Sequence, residues 1–476
     1  MRRKSIFIAF LIMSSLACGL INRVTPVSKP TILPTQAIST QVPSETSATA
    51  PAGTQAQATQ ATSGATKEEP TITPYPTSVL DTQMKNEIDL IQSQVVQERE
   101  LQPKFQVPVV LLTSNELRTN VVNDFLADYT DEDAADDVYR LSIIGLLDPG
   151  FDYRTFYVNV LSEQIAGYYD SDVKEMFVVG DQGFNGAEHL TYAHEFTHVL
   201  QDENYGLKTN LKYNDDYCEV NSEYCTAVQA MIEGDATLSE FTWLQNYATD
   251  QDKSQVVQFY NTFKSPVLDS APAFFKDDFV FPYSQGFTFI QYFHDAGGWS
   301  AVDAVFKNPP VSSEQILHPS LYPSDTPVPV DLPDMSSALG KNWRQVSSDV
   351  MGEWSTYLIL KDGIDENARL DDSTAQSAAA GWGGDKFTVF HNDNANTTAF
   401  VMKGLWDTAN DASEFSVALQ KSLNSRFGVK ATQQGDTFTW SYSGGYSSLL
   451  LSGSTTIWII TPDADTAQII SGLVQP

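Results

Sequence analysis

The sequence predicts an α+β protein in two folded parts: a mainly helical part with a small sheet over residues 81–340, then an α+β part with a mostly antiparallel sheet over residues 341–476. Two observations carry this. Before residue 340, stretches with helical apolar spacing surround two short apolar runs, FQVPVVLL (105–112) and KEMFVVG (174–180). After residue 380, GWGGDKFTVFHND, TTAFVMKGLWD, TFTWSYS, YSSLLLSG and TTIWIITP read as strands, interrupted by one helix and followed by another. A chain of 476 residues, 42% hydrophobic, has the apolar material for two cores.

Ahead of the folded parts, Arg2, Arg3 and Lys4 precede an apolar run from Ile6 to Leu16, then Ala17-Cys18-Gly19. This is the layout of an export signal over 1–17, too short for a comfortable membrane span. A cysteine closing such a segment resembles the lipobox of bacterial lipoproteins, although Leu16 stands two residues before Cys18 where that family has leucine three before. The resemblance implies lipid attachment at Cys18 and a body held outside the membrane. Val24 to Thr77 is rich in Thr, Pro, Ala, Gln and Ser, so 18–80 is expected to be a disordered tether. The chain has three cysteines. With Cys18 lipidated, Cys218 and Cys225 remain as an even pair in an oxidising compartment, and a disulfide is expected between them.

Within the first folded part, residues 82–101 form a helix with Ile88, Ile91, Val95 and Val96 on one side. FQVPVVLL is a buried strand. TSNELRTNVVNDFLADY is a helix capped by Ser114, and DEDAADDVYRLSIIGLL is another, with acids in the first turn where the helix dipole favours them. DYRTFYVNVLSEQIAGYYD gives a third, ending near Gly167, and KEMFVVG is a strand. Asn185 with Glu188 three residues on is a capping box, Ala193, Phe196, Val199 and Leu200 form a buried side, and Gly206 is the stop. TAVQAMIEGDATLSEFTWL (226–244) is a further helix, and Tyr283 in FPYSQGFTFIQYFHDAGGW stands just before one. In the second part, 341–361 reads as helical, Asp411 caps the helix over DASEFSVALQKSLNSRF, and DADTAQIISGLV closes the chain as a helix.

The formal net charge of −32 repels phosphate backbones and excludes nucleic acid as a natural partner. The chemical content lies in HEFTH. Residues four apart share one helix face, so His194 and His198 reach a single cation together, at about 2.0–2.1 Å per nitrogen if it is zinc. Glu195 stands beside them as a base for water. A third ligand is expected from the second helix, where Glu233 interrupts an otherwise apolar stretch and calls for a buried partner. Asp202, four residues past His198, and Asp235, two past Glu233, are candidates to support the ligands. Tyr283 is placed to donate to a developing oxyanion. His318 is a second candidate donor, or a structural histidine before Pro319. His189 lies off the ligand face and is expected at the surface; His294 and His391 have no supporting context.

These motifs resemble the zincin metallopeptidases, in particular the gluzincins, and HEFTHVLQD is similar to the thermolysin active-site helix. The resemblance implies one Zn2+ held by His194, His198 and Glu233, with one coordination position facing solvent, Glu195 as general base and a peptide or protein substrate. PYSQGF is similar to an element of the leukotriene-hydrolysing branch of the aminopeptidase N group, which implies a transition-state role for Tyr283. No GxMEN-like element precedes the HEFTH helix, and EGDA differs from the thermolysin and aminopeptidase versions. The stretch from LSEQIAGYYD to PPVSSEQILHPSLYP, and on through GWGGDKFTVF, resembles a family of uncharacterised bacterial exported proteins with a predicted peptidase domain. In zincins the strand before the active-site helix pairs with extended peptide, which points to KEMFVVG. The expected activity is an anchored endopeptidase. The alternatives are a zincin-like surface lipoprotein that binds partners without turnover, and an exported binding protein with no metal.

Overall fold

A computed structural model describes residues 80–476 except 181 and 182. The export signal, Cys18 and the tether lie outside the described residues. Among the described residues, no helix is long and apolar enough to cross a membrane.

Three short strands form the first sheet: β1 (Val109–Leu112), β2 (Gly167–Asp170) and β3 (Glu175–Val179), in the order β1-β3-β2. Strand β3 pairs with β1 in parallel and with β2 antiparallel. KEMFVVG is therefore the centre of the sheet, and both of its edges are already paired, which corrects the expectation of a peptide-binding edge there. Strand β2 comes from GYYD, expected at a helix end; the helix stops at Gln164 and the chain turns back as a strand.

Around this sheet run α1 (Thr82–Arg99), α2 (Ser114–Asn120), α3 (Asp131–Ile143), α4 (Tyr153–Gln164), α5 (Gly186–Tyr205), α6 (Asp215–Cys218) and α7 (Ser222–Asn246). Thr113 caps α2, with Glu116 completing the box, one residue earlier than the Ser114 cap expected. Ile88, Ile91 and Val95 of α1, Met176 and Val178 of β3, and Ala193, Phe196, Val199 and Leu200 of α5 share one core with Trp243 of α7. Helices α8 (Asp250–Thr262) and α9 (Pro266–Asp269) lead to α10 (Ala273–Lys307), kinked at Gly297 and Gly298. Pro282 and Tyr283 lie inside α10, not before it. The short helices α11 (Ser313–Leu317) and α12 (Ser336–Leu339) follow.

Helices α7 and α10 cross at glycines. A Cβ on Gly234 would stand 2.2 Å from the Gly286 carbonyl, and one on Gly286 would stand 2.0 Å from the Ala230 oxygen. No side chain fits between these backbones, so the crossing holds α7 at a fixed depth.

The second sheet has seven antiparallel strands in the order β4-β5-β6-β10-β9-β8-β7. They are β4 (Trp343–Asp349), β5 (Trp382–Asn392), β6 (Thr397–Trp406), β7 (Thr432–Gln434), β8 (Thr437–Tyr442), β9 (Gly445–Ser452) and β10 (Thr455–Thr461). The helices of this part are α13 (Gly352–Lys361), α14 (Asp372–Ala379), α15 (Ala409–Arg426) and α16 (Ala464–Leu473). Ile457 and Ile459 of β10 pack with Ala467 and Ile470 of α16. Trp458 points to the opposite face, as strand alternation requires, and meets Phe400. Residues 341–361, expected as one helix, split into β4 and α13; WRQVSSD is polar and half-buried, which suits an edge strand. Thr408 caps α15, and Asp411 completes that capping box instead of forming the cap itself. Arg344 of β4 grips both oxygens of Asp136 on α3, at 2.8 and 2.5 Å, tying the sheet to the helical part.

Candidate metal centre

Helix α5 begins at the Asn185–Glu188 capping box and ends at Gly206, whose φ of 70° is a left-handed stop that glycine adopts without strain. Between them, His194 and His198 project from one face with ring centroids 4.7 Å apart. Helix α7 lies alongside, with the Thr197 hydroxyl donating to Ser239 at 3.0 Å, and brings Glu233 to the pair. One Glu233 oxygen, Oε2, is 3.1 Å from His194 Nε2 and 3.5 Å from His198 Nε2. Three side chains from two helices thus meet at one point.

The outer ring nitrogens are each held by an acceptor. His194 Nδ1 is 3.0 Å from Glu240 Oε2, and His198 Nδ1 is 2.8 Å from Gln201 Oε1. Gln201 is fixed in turn: its Nε2 donates to the Ile232 carbonyl at 2.9 Å and to Asp235 at 2.8 Å, and Asp235 receives Arg99 Nε at 2.7 Å. Because Nδ1 of each ring is engaged outward, Nε2 is the atom turned inward, the orientation that metal-binding histidines take.

Glu195 accepts from the Tyr169 amide through Oε2 at 3.1 Å, and one of its carboxylate oxygens lies within 4.8 Å of a ring nitrogen of His194 and of His198. Four buried polar atoms of this cluster have no hydrogen-bond partner: Glu195 Oε1, His198 Nε2, Glu233 Oε1 and Glu240 Oε1. Glu195, Glu233 and Glu240 are at most 1% exposed, and the ion partners described for Glu233 and Glu240 are these histidines, not lysine or arginine. Buried carboxylates around inward-facing imidazoles, with unsatisfied atoms in the cluster, are donors of the kind that can hold a divalent cation.

The protonation preferences follow from burial. Burial opposes charge on His194, but the carboxylates of Glu240 and Glu233 outweigh it and hold that ring well above the usual imidazole value. Burial pushes Glu195 up to about 7 against the pull of His198 and His194. Burial acts the same way on Glu233, yet His198 and His194 overcome it and its pKa is lowered.

The other candidates are placed as follows. Asp202 reaches neither imidazole. It accepts from the Tyr169 hydroxyl at 2.9 Å, from Lys174 and from the Leu207 amide, so it steadies the tyrosine whose amide holds Glu195. The Tyr283 ring is buried with its centroid 6.2 Å from that of His194. His318 pairs with Glu353 at 3.0 Å and lines a cleft with Ser284, Trp354 and Tyr357 that includes none of the metal-centre residues. His189 is half-buried and pairs with Asp252 at 3.0 Å. His294 packs on Trp299, and His391 stacks on Tyr139. Cys218 and Cys225 form a disulfide that closes the turn from α6 into α7. The coordination position expected to face solvent is corrected: His194, Glu195, His198, Glu233 and Tyr283 are 0–1% exposed, so helix α10 and its neighbours close the cluster from bulk water.

Sequence reasoning missed Gln201, Glu240 and Tyr169. Gln201 lies three residues past His198 and Glu240 seven past Glu233, spacings that return to the same helix face and were open to the same argument as the ligands. Tyr169 carried no such signal, because its backbone amide makes the contact.

Residues 341–471 match the family model of a domain of unknown function, DUF8575. The match covers the second sheet and its helices and stops short of the HEFTH and EGDA helices. No curated protein and no solved structure matches the chain.

Proposed function

We propose that this protein is a zinc-dependent peptidase of gluzincin type, anchored outside the cell through Cys18. The observation that carries the reading is the single Glu233 oxygen, 3.1 and 3.5 Å from the inner nitrogens of His194 and His198. His194, His198 and Glu233 would hold one zinc ion, whose Lewis acidity brings the pKa of water near neutrality and polarises a peptide carbonyl.

The remaining steps belong to the chain. Glu240 and Gln201 keep the two imidazoles in the tautomer that offers Nε2 inward. Glu195, its base strength set by burial, takes a proton from the attacking water through Oε1, the oxygen left without a partner, and passes it to the departing amine. Tyr283 is the candidate donor to the tetrahedral oxygen. A peptide reaches these groups only when the packing over them opens, so metal binding and turnover are separable properties.

The test is zinc by elemental analysis on the purified full chain, with hydrolysis of unfolded casein. The reading expects about one zinc per chain and cleavage abolished in Glu195→Gln with zinc retained. Cleavage that survives Glu195→Gln would falsify the assigned base. Stoichiometric zinc without cleavage of a broad peptide library favours the binding-module reading.

A further inference from the structure

A second convergence of acids lies away from HEFTH. Glu314 on α11, Asp325 in the loop that follows and Asp407 at the end of β6 bring three carboxylate oxygens within 4.8 Å of one another. Their settings differ. Asp407 is exposed and Asp325 is half-buried, whereas Glu314 is 2% exposed with Oε2 lacking any hydrogen-bond partner. A buried carboxylate oxygen left unpaired carries its full desolvation cost unless something positive meets it. The neighbouring charges do not supply it: those acting most strongly on Glu314 are Glu353, Asp325, Asp407 and Glu223. His318, the nearby imidazole, is committed to Glu353.

The carboxylates are held in place by backbone. Ser312 caps α11, the Asp325 amide donates to Leu321 at 3.0 Å, and the Asp325 carbonyl accepts from Gln315. The Asp407 amide donates to the Gly381 carbonyl at 2.9 Å. The loop beyond Asp325 is seated on the first residues of β5, where the Val328 amide donates to Gly383 at 2.7 Å. A Cβ on Gly384 would stand 2.2 Å from the Val328 oxygen, so that seat exists only with glycine.

We propose that Glu314, Asp325 and Asp407 form a calcium site that clamps the loop after α11 to the end of β6. All-oxygen, carboxylate-rich donors with two solvent-facing members suit a hard cation that completes its six to eight ligands with water. Burial, then the surrounding carboxylates, push Glu314 up to about 9, a penalty that a bound dication relieves. The site is independent of the peptidase reading. It joins the helical part to the region matched by the domain of unknown function. Ser313, next to Glu314, binds Glu223 on α7 through its amide at 2.6 Å, so the clamp also braces the helix that carries Glu233.

The experiment is calorimetric titration of the EDTA-treated full chain with CaCl2, run beside Glu314→Gln, Asp407→Asn and His198→Ala. The proposal expects one calcium per chain, with Kd of about 0.1–1 mM, the range of extracellular modules. It expects a melting temperature raised by about 2–5 °C at 10 mM calcium. Affinity should fall at least about tenfold in both acid variants and stay unchanged in His198→Ala. Asp407 is exposed, so its variant keeps the fold even if Glu314→Gln does not. No binding at 10 mM calcium, equal affinity in the acid variants, or loss of binding in His198→Ala overturns the site.

Discussion

Replacing Glu240 by leucine isolates the support of a ligand from the ligand itself. The Glu240 carboxylate is 3.0 Å from His194 Nδ1, and both side chains are at most 1% exposed. A charge-assisted bond of that kind contributes about 1.5–3 kcal/mol, and its loss leaves a buried N–H without an acceptor. Partners behind metal-bound histidines characteristically govern about ten- to hundredfold in affinity, which is about 1.4–2.7 kcal/mol. The two ranges agree. Glu240→Leu is therefore expected to weaken zinc binding about a hundredfold, and Glu240→Gln, which keeps an acceptor without the charge, about tenfold. The assay is zinc competition against a chromophoric chelator, with near-ultraviolet circular dichroism to establish that each variant is folded. Folded Glu240→Leu that holds zinc within twofold of the parent would refute the reasoning, because His194 would then owe nothing to the group behind it.

With its carboxyl raised by burial to about 7, Glu195 must lose a proton before it acts as base, so kcat/KM should fall as pH drops below about 7, or below a lower value once a cation adds its charge; a rate that climbs from pH 7 to pH 5 contradicts the role. Gly286→Ala should lower stability by about 1–3 kcal/mol or more and reduce zinc affinity, since its Cβ would stand 2.0 Å from the Ala230 oxygen and push Glu233's helix away; melting curves and chelator competition read both, and an unchanged pair of values opposes the close crossing. Glu223, raised by burial to about 8, keeps its proton in the folded state while the unfolded chain releases it near the ordinary glutamate value, so its contribution to stability is full at low pH and is lost as pH rises through about 8. Glu223→Gln should accordingly gain melting temperature over the parent at pH 9 but not at pH 4, and parallel curves for the two chains would count against this.

The elements legible in the sequence were those with a strong local signature. The capping box at Asn185, the stop at Gly206 and the short apolar run of TTIWIITP each declare themselves within a few residues. The strands GYYD and WRQVSSD did not, because pairing across the sheet holds them and neither has the length or apolar period to show it. Tyr283, expected just before a helix, lies inside α10, which continues through Pro282. At the centre, His194, Glu195 and His198 were readable because one helix carries them, and Glu233 because an acid in the middle of a largely apolar helix needs a partner. The chain from Gln201 through Asp235 to Arg99 joins three separate helices, which local spacing does not reveal. Of the two readings of His318, the structural one agrees with its pairing to Glu353, a partner that its neighbours in sequence do not announce.

Zinc K-edge X-ray absorption on the purified full chain addresses the centre itself. The account predicts about one zinc per chain in a shell of nitrogen and oxygen only, near 2.0–2.1 Å, with the outer-shell scattering of two imidazoles, one of them lost in His198→Ala. A chain that takes up no zinc, or zinc whose spectrum is the same without His198, contradicts it.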